Sequence, residues 1–243
     1  MDDRPIGVFD SGIGGKTILT ATKKLLPSEN FIYFGDSKNC PYGDKSDEEL
    51  KTIVKRAAEF LIEKNVKLII VACNTATTRM IGFLRESFPG LPFIGTEPAV
   101  KPACAKNNNS IFILGTSATI RSKRLNELIK KNIHPSQKIV TFPLVGLAEA
   151  IELKDETKIN NCLEPLKRNF SKEELSSTDA VVLGCTHYPF VLRELKAYFP
   201  NADFIDSGPG VARQTKKVLE KNHLLASAKT PGSVEYYFSK PQE

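Results

Sequence analysis

Two short stretches of the sequence, Val71–Thr75 (VACNT) and Leu183–His187 (LGCTH), are built alike. Each places a cysteine after a short apolar run rich in β-branched residues, residues 67–71 in one case and 180–183 in the other. Such bounded apolar runs predict buried parallel strands, and ligands bind at the carboxyl ends of strands in open α/β sheets. The two stretches therefore predict an α/β fold with two half-sites, each built around a thiol.

Small polar residues follow both cysteines: Asn74 and Thr75 after Cys73, and Thr186 after Cys185. They predict a helix N-terminus beside each thiol, where unpaired N–H groups favour a thiolate or a bound carboxylate. Cysteine is also a common core residue, so an inert buried thiol is the alternative interpretation. The polar neighbours favour a functional thiol, and we expect a single ligand held between the two half-sites.

The composition is typical of a soluble globular enzyme. Of 243 residues, 41% are hydrophobic and 26% are charged, and this length allows one large α/β domain or two smaller ones. The formal net charge of +6 comes from lysines spread over many predicted helix faces, without a long basic run or interleaved aromatic residues. This pattern argues against nucleic-acid binding as the main activity, while a mildly basic field favours an anionic substrate.

The cysteines and histidines match neither a disulfide framework nor a metal motif. The five cysteines include no C-x-x-C pair, which indicates reduced thiols, and the three histidines lack metal-ligand spacing, so we expect no metal. The chain reaches a strand by Ile6 without a segment like a signal peptide, and no apolar run approaches the roughly 18 residues that suggest a membrane span. We therefore expect a cytoplasmic protein without membrane contact.

A glycine-rich turn, residues 10–15 (DSGIGG), follows the first predicted strand, Ile6–Phe9. Residues 15–17 (GKT) resemble the end of a phosphate-binding loop, but Asp10 stands where G-x-x-x-x-G-K-[ST] requires its first glycine. A carboxylate there would repel phosphate, so we expect no nucleotide site. The turn instead predicts backbone N–H groups, the Ser11 hydroxyl and the Asp10 carboxylate at the end of the strand.

A polar loop follows the second predicted strand, Phe31–Gly35. This loop, residues 36–44 (DSKNCPYGD), is typical of a segment that lines a substrate. Ser46 and Glu49 then form a capping-box pattern, which predicts a helix that runs to about Lys64.

The order of elements in the first half of the chain recurs in the second. A predicted strand at Ser110–Leu114 is followed by a small polar turn and by a basic helix, residues 120–131. The recurrence predicts a divergent duplication with two similar α/β domains that face each other. We assign residues 1–96 and 207–243 to the first domain, which holds Cys73, and residues 97–206 to the second, which holds Cys185.

The remaining segments complete this plan. Helices are predicted at residues 146–151, which include Glu149, and at residues 156–170, with a candidate break at Pro165. Residues 206–208 repeat the Asp-Ser-Gly triplet of the N-terminal turn and open a last helix, and residues 234–238 are a candidate closing edge strand.

Two thiols could perform a reaction that a single base cannot. One removes a proton from a carbon while the other delivers a proton to the opposite face, and the stereocentre inverts. The α-proton of an amino acid is far less acidic than a thiol, whose pKa is about 8.5, so the carbanion must be strongly stabilised. Since no pyridoxal motif or metal motif is visible, a dry cleft and helix-end N–H groups are the remaining resources.

The sequence resembles the cofactor-independent aspartate/glutamate racemase family along essentially its whole length, and within that family the glutamate racemases. The stretches that carry the resemblance are residues 10–15 (DSGIGG), 41–43 (PYG), 72–76 (ACNTA), 115–116 (GT), 118–119 (AT), 184–189 (GCTHYP) and 206–208 (DSG). The resemblance implies two flavodoxin-like parallel-sheet domains related by pseudo-two-fold symmetry, with the active site in the cleft between them. It also implies interconversion of L- and D-glutamate for bacterial peptidoglycan, without any cofactor.

The resemblance also implies roles for matching residues. Cys73 would deprotonate D-glutamate and Cys185 would deprotonate L-glutamate, with Asp10 and His187 assisting the two thiols and Glu149 as a further acidic residue. The implied substrate-contacting residues are Ser11, Pro41, Tyr42, Gly43, Asn74, Thr75, Thr116, Thr119 and Thr186.

The sequence departs from the family pattern in three places. Lys16 stands where an apolar residue is usual, and Cys40 stands where an aliphatic residue is usual. The segment around Glu149 is only loosely similar, so the role of Glu149 rests on the weakest match.

Two other functions stay open at this point. An aspartate racemase shares the two-thiol logic, although the Thr-His-Tyr-Pro stretch after the second cysteine favours glutamate. A bilobal amino-acid-binding protein without catalysis would also hold an anionic ligand, although the two placed thiols argue against it. The expected partner is glutamate as a small-molecule substrate, and a homodimer is among the assemblies that the resemblance allows.

Overall fold

Short runs of β-branched and aromatic residues form two parallel sheets in the computed structural model of the protein. The structure describes residues 2–106, 108–227 and 230–240. The chain divides into two compact units, the first made of Met1–Thr96 and Gly208–Glu243 and the second of Glu97–Ser207. Both are α/β units with a wholly parallel sheet, so the fold class predicted from the sequence is confirmed.

The first unit contains five strands and four α-helices among the described residues. Its strands are β1 (Ile6–Asp10), β2 (Phe31–Gly35), β3 (Leu68–Val71), β4 (Phe93–Gly95) and β9 (Val234–Phe238), and its helices are α1 (Lys16–Leu25), α2 (Asp47–Glu63), α3 (Asn74–Ser87) and α11 (Gly208–Lys221). The sheet order is β4-β3-β1-β2-β9, and every neighbouring pair is parallel. The C-terminal strand β9 therefore forms one edge of the sheet, as the sequence predicted.

The second unit has a smaller sheet. Its strands are β5 (Ser110–Gly115), β6 (Lys138–Pro143), β7 (Ala180–Gly184) and β8 (Asp203–Ile205), and its helices are α4 (Val100–Ala105), α5 (Ser117–Ile120), α6 (Lys123–Asn132), α7 (Leu147–Glu152), α8 (Glu156–Asn169), α9 (Lys172–Ser176) and α10 (Leu192–Tyr198). The sheet order is β6-β5-β7-β8.

The two sheets share one topology. Four strands of the first unit follow the order β2-β1-β3-β4, and those of the second follow β6-β5-β7-β8, which is the same order counted within each unit. In both, the order reverses at the unit's first strand, and ligands bind at such switch points in open α/β sheets. The shared order supports the duplication inferred from the sequence.

The central strands are buried on both faces, which is usual for parallel sheets. All residues of β1, β3 and β7 are buried. Consecutive residues of β1 point to opposite faces, so Val8 and Phe9 belong to different hydrophobic clusters. This burial fixes the register of the strands and hence the position of the residues that follow them.

A buried glutamate, Glu29, pairs with a lysine of the first unit and also binds the backbone of the C-terminal segment. Lys67 Nζ lies 2.5 Å from Glu29 Oε2, and the two side chains are 0% and 3% exposed. Glu29 Oε1 accepts a hydrogen bond from the backbone N–H of Ala226 at 2.8 Å. Breaking such a pair costs about 3–5 kcal/mol, because the remaining charge stays buried.

Two helix predictions need correction. The helix expected over residues 120–131 is divided, because α5 ends at Ile120 and the hydroxyl of Ser122 caps a new helix by accepting from the Leu125 N–H at 3.1 Å. The break considered at Pro165 does not occur, and α8 runs through this residue. Leu163 and Leu166 on either side of it are fully buried, and their packing holds the helix together.

None of the helices described here is long and apolar enough to cross a membrane.

Candidate active site

Cys73 lies between β3 and α3, at the carboxyl edge of the first sheet. It is the N-cap residue of α3, with φ −63° and ψ 121°, and its carbonyl accepts from the Thr77 N–H at 2.9 Å. The residue is 6% exposed. Because the first N–H groups of a helix carry partial positive charge, this position favours a thiolate or a carboxylate beside it.

The glycine-rich turn of residues 10–15, which we call the Asp10 turn, lies beside Cys73, because β1 and β3 are neighbours in the sheet. Asp10 is fully buried, and one of its oxygens, Oδ1, accepts from the backbone N–H of Gly12 at 3.2 Å. The Tyr33 hydroxyl donates to the Gly12 carbonyl at 2.6 Å. A Cβ atom on Gly15 would lie 2.6 Å from the Asp10 Cβ, so the turn can pack this closely only with glycine at that position. Ser11 is buried in the same turn.

The loop after β2 is organised around a buried carboxylate, Asp36. Asn39 Nδ2 donates to both Asp36 oxygens at 3.0 and 2.9 Å, and the Tyr42 hydroxyl donates to Oδ2 at 2.9 Å. Burial, followed by the charges of Asp36 and Cys73, raises the pKa of Tyr42 well above its ordinary value. Tyr42 is therefore a neutral donor that holds the loop, in which Pro41 follows a cis peptide bond.

Hydrogen bonds tie the start of α3 to the end of β4. Asn74 Nδ2 donates to the Thr96 carbonyl at 3.2 Å, and the Thr96 N–H donates to Thr77 Oγ1 at 2.9 Å. Thr77 Oγ1 in turn donates to the Val71 carbonyl at 3.1 Å. Thr75 is buried in the same first turn of the helix.

In the second unit, Cys185 follows β7 and has an imidazole for a neighbour. Cys185 Sγ lies 3.8 Å from His187 Nδ1, and His187 Nε2 lies 2.5 Å from Glu152 Oε1. His187 is 1% exposed, and the side chain of Glu152 is 13% exposed. An ionised carboxylate only accepts hydrogen bonds, so it favours the tautomer with the proton on Nε2 and leaves Nδ1 as the acceptor that faces the thiol.

The helix expected directly after Cys185 does not begin there. Residues 188–191 form a short 3₁₀ helix, and α10 begins only at Leu192. Cys185 is consequently not the N-cap of an α-helix, and this part of the prediction is wrong. The two thiols differ in their surroundings: a helix N-terminus lies at Cys73, and a histidine paired with a carboxylate lies at Cys185.

The structure does not bring Glu149 to His187. Glu149 is exposed on the outer side of α7, where its charge, after burial, contributes to raising the pKa of Cys162. Glu152, one turn further along α7, makes the contact with His187 instead. Glu152 follows the buried Ala148 by four residues, whereas Glu149 falls between Val145 and Leu153, two apolar residues that the structure leaves exposed, so the apolar pattern of the sequence alone does not distinguish the two.

Threonines occupy the remaining predicted positions of the second unit. Thr116 follows β5 and caps α5, with its Oγ1 accepting from the Thr119 N–H at 3.2 Å. Thr119 is fully buried and Thr186 is 5% exposed. Since β5 and β7 are neighbours, Thr116 and Cys185 both follow the carboxyl ends of adjacent strands.

Each unit therefore presents the same kind of site at the carboxyl edge of its sheet. In each, a thiol follows a buried strand, and a hydroxyl-bearing residue follows the end of the neighbouring strand, Ser11 in the first unit and Thr116 in the second. Such a site can bind an anionic group and can move a proton between sulfur and an acidic carbon.

Comparison with known proteins gives a family match over most of the chain. The sequence model described as Asp/Glu/Hydantoin racemase matches residues 16–215. A glutamate racemase of Clostridium novyi (strain NT) is 43% identical over 97% of this chain and 91% of its own length.

Two solved structures resemble the chain over almost its whole length. The glutamate racemase of Francisella tularensis in complex with D-glutamate has a TM-score of 0.80 and 31% sequence identity, covering 99% of this chain and 90% of that one. The Escherichia coli glutamate racemase in complex with L-glutamate and the activator UDP-MurNAc-Ala has a TM-score of 0.81 and 30% identity, covering 98% and 91% of the two chains.

Proposed function

The chain belongs to the Asp/Glu/hydantoin racemase family, and on this premise we propose that it is a glutamate racemase that uses Cys73 and Cys185 as its two bases. The observation that carries the proposal is the matched placement of the two thiols, each at the carboxyl end of a buried strand in one of two sheets with the same strand order. The relatives with bound glutamate support glutamate as the substrate. We further infer, from the family, that the product serves bacterial peptidoglycan and that the protein works in the cytoplasm.

The reaction at Cys185 follows from its hydrogen-bond partners. His187 Nδ1 accepts the thiol proton, and the Glu152 carboxylate stabilises the imidazolium that results. The thiolate then removes the α-proton of L-glutamate, and the electron pair of the broken C–H bond remains on the α-carbon.

The reaction at Cys73 completes the inversion. Cys73, as a thiol, donates its proton to the opposite face of that carbon, which gives D-glutamate and leaves a thiolate at the N-terminus of α3. Asp10, buried at the end of the neighbouring strand, is proposed as the group that exchanges the proton with Cys73. The reverse reaction begins at Cys73 and ends at Cys185.

The substrate carboxylates are proposed to bind donors at the strand ends. The hydroxyl groups of Ser11, Thr75, Thr116, Thr119 and Thr186 and the Asn74 amide lie among backbone N–H groups at the two edges. Donors that are fixed before the substrate arrives need little reorganisation when charge develops on the substrate. Asn74 is already fixed by its bond to the Thr96 carbonyl.

Exchange of the α-proton tests the proposal directly. The purified chain is incubated with L- or D-glutamate in deuterated water, and both the optical rotation and the α-deuterium content are followed. We expect each enantiomer to be converted into the other with one deuteron incorporated, because the thiol that donates carries solvent deuterium. Glutamate that keeps both its configuration and its α-proton would contradict the glutamate racemase, and aspartate left unchanged as well would favour a binding protein.

Aspartate is the matched control substrate. It differs from glutamate by one methylene, and a difference of that size is worth about 1–3 kcal/mol in a pocket that fits the longer chain. We expect glutamate to be turned over about 10-fold to 100-fold faster than aspartate. Faster turnover of aspartate would make the chain an aspartate racemase.

A further inference from the structure

The C-terminal strand β9 runs toward the side of the first sheet at which its strands have their carboxyl ends, the side where Asp10 and Cys73 lie. It pairs in parallel with β2, in a register that matches Phe31 with Val234 and Gly35 with Phe238. Because the strands are parallel, the carboxyl end of β9 lies beside the start of the loop that follows β2, residues 36–44, which we call the Asp36 loop. This strand is not among the elements used by the proposed reaction.

Ser239 fixes the beginning of the Asp36 loop. Its backbone N–H donates to the Gly35 carbonyl at 3.1 Å, which continues the ladder past the end of β2. Its hydroxyl oxygen accepts from the backbone N–H of Lys38 at 2.9 Å. Lys38 lies between Asp36 and Asn39, so this bond holds the segment that positions Tyr42.

Phe238 supports the Asp10 turn from the same strand. A Cβ atom on Gly35 would lie 2.5 Å from the Phe238 ring and 2.8 Å from the Gly12 carbonyl oxygen, so the ring occupies the space that glycine leaves beside that carbonyl. The Phe238 ring centre lies 5.9 Å from that of Tyr33, which donates its hydroxyl to the same carbonyl. Lys16 Nζ lies 5.0 Å from the centre of the Phe238 ring, a cation–π contact at the start of α1.

The two loops are also joined to each other, since the Asp36 N–H donates to the Asp10 carbonyl at 2.9 Å. We propose that β9, through Phe238 and Ser239, is a positioning element that sets the geometry of the Asp10 turn and the Asp36 loop, and so controls proton transfer at Cys73. The inference rests on the proposed function. It also accounts for Lys16, whose cation has an aromatic partner in Phe238 where the family usually carries an apolar residue.

A positioning role for β9 would affect proton abstraction by Cys73 more than by Cys185, whereas a general stabilising role would affect both equally. Phe238, Ser239 and Cys73 belong to the first unit, whereas Cys185 belongs to the second. Racemisation uses both thiols in either direction and cannot separate them. Elimination needs only one proton abstraction: the thiolate takes the α-proton of 3-chloroglutamate, the electron pair forms the carbon–carbon double bond, and chloride leaves. Water then hydrolyses the enamine to 2-oxoglutarate and ammonium.

The experiment compares five chains: the unaltered protein and the variants Phe238→Ala, Phe238→Leu, Ser239→Ala and Tyr237→Ala. Tyr237 is the matched control, because alternate residues of a strand point to opposite faces and its ring packs against Phe60, with 5.3 Å between ring centres. Each chain is given the D- and L-forms of 3-chloroglutamate, and chloride release is measured together with the denaturant midpoint.

We expect Phe238→Ala to slow elimination from the D-form about 10-fold to 100-fold and from the L-form less than about 3-fold, because small displacements of catalytic groups cost that much. Ser239→Ala should show the same asymmetry with a smaller effect. Tyr237→Ala should lower the denaturant midpoint without any asymmetry. Phe238→Leu, which keeps an apolar side chain beside the Gly12 carbonyl, should recover part of the D-form rate.

Several outcomes would overturn the proposal. Equal losses on the two enantiomers, or an asymmetry in Tyr237→Ala as large as in Phe238→Ala, would show that β9 only stabilises the fold. If Phe238→Ala does not fold, Ser239→Ala and Phe238→Leu test the proposal by the ratio of their elimination rates from the D-form and the L-form. An unaltered chain that eliminates chloride from neither enantiomer and leaves the glutamate α-proton in place would instead contradict the proposed function itself.

Discussion

His187 Nε2 lies 2.5 Å from Oε1 of Glu152, and the opposite ring nitrogen of His187 faces the sulfur of Cys185 at 3.8 Å. A histidine held between a carboxylate and a nucleophile is oriented in one tautomer, and the carboxylate stabilises its protonated form. From this contact we propose that Glu152 is the acidic residue that supports the second thiol.

Replacing this carboxylate should impair the second thiol. We expect Glu152→Gln to lower kcat for racemisation about 10-fold to 100-fold, because loss of such a partner typically has that effect. With 3-chloroglutamate, the L-form should be affected more than the D-form. The matched control is Glu149→Gln, on the same helix but exposed, which should stay within about 2-fold of the unaltered rate since ordinary surface changes are small. A larger loss in Glu149→Gln than in Glu152→Gln would restore the role implied by the family resemblance.

Serine in place of either cysteine should abolish most racemisation. A hydroxyl is a far weaker acid than a thiol, so Cys73→Ser and Cys185→Ser should each reduce turnover of both enantiomers severely. Elimination should separate them: Cys73→Ser should still process L-3-chloroglutamate, and Cys185→Ser the D-form. Near-normal racemisation in either variant, or loss of the same enantiomer in both, would exclude the two-base mechanism.

Alkaline pH should destabilise the protein through its buried tyrosines. Burial, with the added charges of Asp36 on one and Cys185 on the other, raises the pKa values of Tyr42 and Tyr188 well above their ordinary value. In the unfolded chain these tyrosines ionise near pH 10, whereas in the folded chain they stay protonated. The folded state then holds more protons, so the contribution of these two tyrosines to the free energy of unfolding should be constant below about pH 9 and fall as the pH rises past about 10.

The measurement is urea unfolding at a series of alkaline pH values. Tyr42→Phe should lower the free energy of unfolding at neutral pH by about 1–3 kcal/mol, because the Asp36 carboxylate loses a buried donor. Above about pH 10, the same substitution should also reduce the slope of the free energy of unfolding against pH by the contribution of one ionising tyrosine. A slope unchanged in both Tyr42→Phe and Tyr188→Phe would show that other groups cause the alkaline loss.

Two glycine-to-alanine substitutions should differ in their effects, one lowering the racemisation rate and the other raising stability. Gly15→Ala would place a methyl group 2.6 Å from the Asp10 Cβ and 3.0 Å from the Ala72 Cβ, so the Asp10 turn must move. We expect racemisation to fall about 100-fold, the cost of moving a catalytic group by about 1 Å.

Gly82 provides the contrast, since its position in α3 is exposed and nothing lies within 4 Å of an added Cβ. Gly82→Ala should therefore stabilise the protein by about 0.5–1 kcal/mol without changing kcat. Thermal unfolding and steady-state assays of both variants test these expectations, and a Gly15→Ala variant with full activity would contradict the tight packing of the turn.

Much of the fold could be read from the sequence because its strands are short, bounded and apolar. The runs at β1, β3 and β7 are wholly buried, and in β2 all residues but Phe34 are buried. The residues that follow such strands are placed by the sheet. The positions of Cys73 and Cys185 at strand ends therefore follow from local pattern alone.

The contact between Glu152 and His187 could not be read in the same way. Glu149 and Glu152 lie three residues apart on a six-residue helix, and only packing decides which one faces inward. Likewise, the residues after Cys185 form a 3₁₀ turn because Tyr188 must bury its ring and donate to the Leu144 carbonyl at 3.2 Å. These choices depend on tertiary contacts between segments that are distant in sequence.

The first unit is assembled from the two ends of the chain, with the second unit inserted between them. During synthesis, residues 97–207 leave the ribosome before β9 exists, so the inserted unit can finish its sheet while β2 is still an open edge. An open edge of this kind is a template for pairing with other chains, which makes the unfinished protein vulnerable to aggregation. The Asp10 turn and the Asp36 loop receive their support only when β9 arrives. If β9 positions these loops as we propose, proton transfer at Cys73 reaches its full rate only after β9 has been synthesised and has paired with β2.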